Sequence, residues 1–156
     1  MNTFSINPEK ATSNVTIAGV MLASLFVALS VIFLEPERFD VWTIAQLALA
    51  IPLLFVACLA YAKIGYWKEN KLWDTLGYFT NTSGDFLLIN AIGLMISKIS
   101  IGVSLAYFTL TIVLMLIYTI INVIYKPHTL TDKSFKFLFS LLIMIFGGIL
   151  PLLGVY

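Results

Sequence analysis

From Phe86 to Tyr125 the chain carries a single charged residue, Lys98. One helix over that run would be about 60 Å long, twice the roughly 30 Å hydrocarbon core of a bilayer. The run therefore reads as two membrane spans joined at Ser97-Lys98-Ile99-Ser100, where the polar residues fall. Its first half is too short alone, because Phe86 to Ser97 covers only about 18 Å. A crossing helix must begin near Gly77 or Tyr78. That requirement draws the polar segment Thr80-Asn81-Thr82-Ser83-Gly84-Asp85 into or against the membrane.

The remaining apolar runs are simpler. Residues 15–34 carry no charge and have the length of about 20 residues that a crossing helix needs. Thr12, Ser13 and Asn14 are expected to cap that helix. A secretory signal is the competing reading. The run is long for a signal core, and Glu35 and Pro36 follow it where a small-residue cleavage site is expected. Residues 41–62 form the second span. Trp42 sits at one end and Tyr61, Tyr66 and Trp67 at the other, in the manner of an aromatic belt. Pro52, near its middle, is expected to kink it. The mixed basic and aromatic stretch from Lys63 to Asp74 is expected at the membrane interface. The third, fourth and fifth spans are placed at 77–97, 101–125 and 135–155. In the last, Pro151 leaves the carbonyl of Gly147 without its helical donor.

The expected fold is thus all-α, a single transmembrane domain of five helices in a bundle. A content of 60% hydrophobic and 11% charged residues, with mean hydropathy +0.99, places the chain in the membrane class. Charge asymmetry sets the span count and orientation. With five spans, Lys10, Lys63, Lys68, Lys71, Lys126, Lys133 and Lys136 share one side, and only Arg38 and Lys98 take the other. Removing the third span destroys that bias. The positive-inside rule then puts the N-terminus in the cytoplasm and the C-terminus outside, most simply at the cell membrane. The N-x-S/T triplets at Asn14 and Asn81 fall on the cytoplasmic half and are expected to stay unglycosylated.

Several functions are excluded or unsupported. A net charge of +1 gives no electrostatic reason to expect nucleic acid. The lone Cys58 rules out an internal disulfide, and the lone His128 rules out bis-histidine haem ligation within the chain. No cofactor or metal is expected. The expected partners are the lipid bilayer and either further copies of the chain or another membrane protein. The pairs Gly19/Ala23, Ser24/Ala28 and Gly102/Ala106 have the spacing that lets helices approach closely.

Candidate chemistry gathers on the third span. Asp85 is the ionisable residue placed deepest, about 12 Å from the start of its helix. An aspartate at mid-helix costs about 2.5–3.5 kcal/mol to insert, and such residues commonly mark ion or proton sites. Without a cation nearby, it is expected to be partly protonated at neutral pH. Asn81, Thr82, Asp85 and Ile89 share one helical face; Ser83, Asn90, Gly93 and Ser97 share another. Ser83-Gly84-Asp85 is also good capping material, so Asp85 capping a half-helix is the competing reading. Asn90 and Asn122 are expected to hydrogen-bond neighbouring helices, and Gln46 to lie near the interface.

The leading expectation is a small membrane protein that binds or transports a small solute or ion at Asp85, Asn81, Thr82, Asn90 and Asn122. A structural or accessory subunit is the second expectation. An intramembrane hydrolase is the third, with Thr80, Thr82 or Ser83 as nucleophile and His128 as base. The run Tyr78-Phe79-Thr80-Asn81-Thr82-Ser83 resembles, over those six residues, the androgen-inducible-type intramembrane hydrolases, which pair a threonine with a histidine.

Overall fold

The computed structural model describes residues 8–66, 71–125 and 130–154. The described residues are helical apart from short connections, with no strands. Five helices follow one another: α1 (Pro8–Leu34), α2 (Val41–Tyr66), α3 (Lys71–Ser97), α4 (Ile101–Tyr125) and α5 (Leu130–Met144). A π turn, Ile145–Ile149, carries α5 into a last helical turn, Leu150–Leu152. Four of the five are long and apolar enough to cross a membrane: α1, α2, α4 and the α5 continuation. Four such helices are compatible with an integral membrane protein.

Several local expectations are corrected. Thr12, Ser13 and Asn14 do not cap α1; they lie inside a helix that already runs from Pro8, and Thr16 donates its hydroxyl proton to the Thr12 carbonyl. Lys63–Tyr66 continue α2 and Lys71–Asp74 open α3, so these parts of the expected interfacial stretch belong to the two helices. Trp67 lies outside the described residues. α2 runs unbroken through Pro52.

The exposed surface of α4 shows the environment the bundle requires. Only Ser104 and Phe108 of this helix are buried, while Leu110, Leu114, Ile117 and Ile121 lie exposed. Apolar surface of that extent is a liability in water and is compatible with a lipid surrounding. Inside the bundle the α2 positions Leu47, Ala50, Leu54, Ala57, Tyr61 and Ile64 are buried in alternating steps of three and four. That is the seam of a left-handed helix pair. α1 answers with Ala18, Leu25 and Ile32, and α3 with Gly77, Gly84 and Ala91, each set in heptad steps.

α3 is the exception that organises the rest. It is absent from the four apolar candidates, yet it packs against α1, α2, α4 and α5. Its other four neighbours shield it, so it has no need of an apolar outer face. Its glycines permit close approach: a side chain at Gly84 would meet Leu54 at 2.7 Å, and one at Gly93 would collide with Phe108. The Gly19 and Gly102 positions do not act this way. Gly19 has open space beside it, and Gly102 meets only Ser100 of its own segment.

One end of the bundle is tied by polar groups. Asp40 caps α2, accepting the backbone N–H of Thr43 at 2.7 Å and its hydroxyl at 2.9 Å. The other oxygen of Asp40 meets Lys98 at 3.4 Å, joining the α1–α2 connection to the α3–α4 turn. Burial opposes ionisation of Asp40, but the Thr43 hydrogen bonds and Lys98 outweigh it and hold its carboxyl below its ordinary range. Gly147, deprived of its helical donor by Pro151, takes two replacements from α2. Gln46 donates to its carbonyl at 2.8 Å and Trp42 at 3.2 Å. Gln46, in the second turn of α2, is thus buried within the bundle, 2% exposed.

Candidate functional site

α3 continues through Ser83-Gly84-Asp85 as regular helix. The half-helix cap expected as an alternative for Asp85 is thereby overturned. A chain that satisfies its backbone internally leaves the Asp85 side chain to find other partners.

Asp85 lines a cavity of about 670 Å³ at the end of the bundle opposite the Asp40–Lys98 tie. All five helices contribute: Asn14 from α1, Tyr61 from α2, Asp85 with Asn81 and Thr82 from α3, Asn122 and Thr119 from α4, and Ser140 from α5. The helical face predicted for Asn81, Thr82 and Asp85 thus turns inward, towards Asn122. Asn90 is elsewhere. It is fully buried one helical face away and donates to the Ile143 carbonyl of α5 at 3.0 Å. It lies outside the cavity wall, and its Oδ1 is buried without a hydrogen-bond partner. Asn122 donates to the Tyr118 carbonyl of its own helix at 2.8 Å, and not to a neighbour as expected. That bond occupies one of its two amide N–H groups and leaves the other N–H and the oxygen available.

The wall mixes donors and acceptors, and two of its acceptors are left without a partner. The Asn81 amide donates to Asp85 Oδ2 at 2.6 Å, an i to i+4 pair on one face. Asp85 Oδ1 and Asn81 Oδ1 are both buried and have no hydrogen-bond partner, as is true of Asn90 Oδ1 and Gln46 Oε1 outside the cavity. Such groups are costly and few in folded proteins, and each asks for a donor. Among the described residues Asp85 forms no ion pair. Lys133 and Lys136 line the same cavity, and the Lys136 ammonium lies 4.0 Å from the centre of the Tyr78 ring.

Sequence reasoning did not single out Tyr61, Tyr78 or Ser140 for this wall. Their helical faces become meaningful only once α2, α3 and α5 are placed around one space. His128 lies outside the described residues, so the pairing that the hydrolase expectation needs is not described. Thr80 donates its hydroxyl proton back to the Leu76 carbonyl of its own helix.

A second hollow of about 800 Å³ lies at the other end, between Ala28 and Val31 of α1 and Ile92 and Ile96 of α3. The charged residues at its rim are already committed, Arg38 to Glu35 and Lys98 to Asp40.

No protein-family model matches the chain, and neither a curated protein nor a solved structure matches it.

Proposed function

We propose that this chain is a multi-pass protein of the cell membrane that binds or moves a small solute or ion through the cavity beside Asp85. All five helices cross in this reading. α3 crosses despite its polar content, because its neighbours keep lipid away from it. The N-terminus faces the cytoplasm and the C-terminus the outside. Lys63, Lys71, Lys133 and Lys136 then share the cytoplasmic end with the cavity mouth, and Arg38 and Lys98 the other end.

The observation that carries the reading is the position of Asp85. Its carboxyl lies on the wall of a space walled by every helix, with one buried oxygen lacking a donor. A purely structural carboxylate has its acceptors filled by the protein itself. Asn81, Thr82 and Asn122 supply the further polar contacts that orient a small ligand. Five helices enclose little room, so the conducting form is an assembly of copies.

Flux into proteoliposomes, screened over inorganic ions and small amines, tests this. Asp85→Asn is expected to lower flux by an order of magnitude or abolish its pH dependence while the helical spectrum is retained. Unchanged flux and pH profile would remove Asp85 from the pathway.

A second reading, an accessory subunit, draws on one specific observation. The small residues at Gly19 and Gly102 face outward with nothing from another helix of this chain against them. A partner's helix seats there in this reading. Gly19→Leu or Gly102→Leu would then break assembly, and Asp85→Asn would do little.

A further inference from the structure

We propose that Asp85 and Asn81 form a proton-holding acid–amide pair, and that a singly charged cation entering the cavity takes the proton's place. The proposal rests on the reading of the cavity as a solute site and names the class of solute.

The geometry is that of half a familiar dimer. A primary amide and a neutral carboxylic acid join through two antiparallel hydrogen bonds. The amide N–H donates to one acid oxygen, and the acid O–H donates to the amide oxygen. The first of these bonds is present, from Asn81 Nδ2 to Asp85 Oδ2 at 2.6 Å. The two atoms that would make the second, Asp85 Oδ1 and Asn81 Oδ1, are the two atoms of this pair that are buried without a partner. Both are acceptors. One proton on Asp85 Oδ1 would supply the single donor that a second bond to Asn81 Oδ1 requires.

Loss of that proton leaves two buried oxygens, one of them charged, with nothing to bind. The ionised pair is therefore a site for positive charge, and the exchange balances: one proton leaves for solvent as one monovalent cation arrives. The cavity's other groups argue for a single charge. Tyr61 faces it from α2, Asp74 and Tyr78 from α3, Tyr118 from α4, and Lys133 and Lys136 from α5, while α1 brings the uncharged Asn14. The two lysines, one of them offset by the Asp74 carboxylate, oppose a second positive charge. Among the described residues there is also no group of three or more carboxylate, imidazole or thiol side chains of the kind that holds a divalent metal.

The test uses the full chain, purified in detergent in weakly buffered solution with a pH-indicator dye. Sodium, potassium or methylammonium chloride is added, with a bulky-cation salt as the ionic-strength control. A cation that binds by calorimetry is expected to release one proton per chain. Infrared difference spectra are expected to show a carboxylic-acid C=O band that disappears on binding. Both signals should be missing in Asp85→Asn. In Asn81→Ala the acid band should persist but move to the position of an acid without an amide partner, a change that general destabilisation does not produce. Binding without proton release, or no acid band in the cation-free protein, would overturn the proposal. If no cation or other solute binds while the band is present, the solute reading itself fails and the exchange falls with it.

Discussion

At the scale of single residues, the bundle depends on polar groups that repair defects in the backbone. Gly147 is the clearest case. Its carbonyl is orphaned by Pro151 and re-satisfied by both Gln46 and Trp42. Two donors on one acceptor predict non-additive losses. Gln46→Leu or Trp42→Phe alone should cost about 1 kcal/mol or less, because the other donor remains. The double variant leaves the carbonyl bare in an apolar interior and should cost about 1–3 kcal/mol beyond the sum of the singles. Thermal unfolding of the four proteins in one detergent measures this; strict additivity would contradict it. Asp40 gives a pH prediction. Its carboxyl is held below its ordinary range despite burial, through Thr43 and Lys98. The folded-state value is thus depressed. Its stabilisation is fully present above the unfolded value of about 3.9 and is lost as pH falls through the folded value. Asp40→Asn should flatten the acid limb of the stability profile without moving the neutral plateau much, since asparagine still caps α2.

At the scale of elements, α3 holds the structure together by being small where it is crowded. Gly84→Val places new atoms against Leu54, whose side chain would be 2.7 Å from the added Cβ. It should destabilise by about 1–3 kcal/mol. Gly19→Val, beside open space, should leave the unfolding midpoint of the single chain within error. Equal losses in the two variants would mean that the α2–α3 seam is misplaced. This contrast also marks what the sequence can convey. The third helix follows from length alone, because Phe86 to Ser97 is too short to cross and must borrow the polar residues before it. The demand of Gly147 for a donor is equally legible, since Pro151 dictates it. Which glycines are crowded is not legible: Gly19 and Gly84 look alike until neighbours are assigned. The burial of Gln46 is not legible for the same reason, as position along a helix says nothing about which face turns inward. The polar segment at Ser83-Gly84-Asp85 reads locally as a helix stop, but packing on all sides overrides that preference.

At the scale of the molecule, the bundle separates its polar features by end. The Asp40–Lys98 tie lies at one end, and the Asp85 cavity opens at the other beside Lys133 and Lys136. In the proposed orientation a cysteine at Glu37 should react with an impermeant thiol reagent in intact cells, in a Cys58→Ser background. A cysteine at Ser134 should react only after permeabilisation. The reverse pattern would invert the topology and place the cavity outside. The central claim is that the space beside Asp85 receives a ligand through that carboxyl. Calorimetric titration of the purified protein with monovalent cations and small amines, wild type against Asp85→Asn, tests it most directly. Saturable binding in the wild type that weakens at least tenfold in Asp85→Asn is the predicted result; equal binding by both proteins would contradict the account.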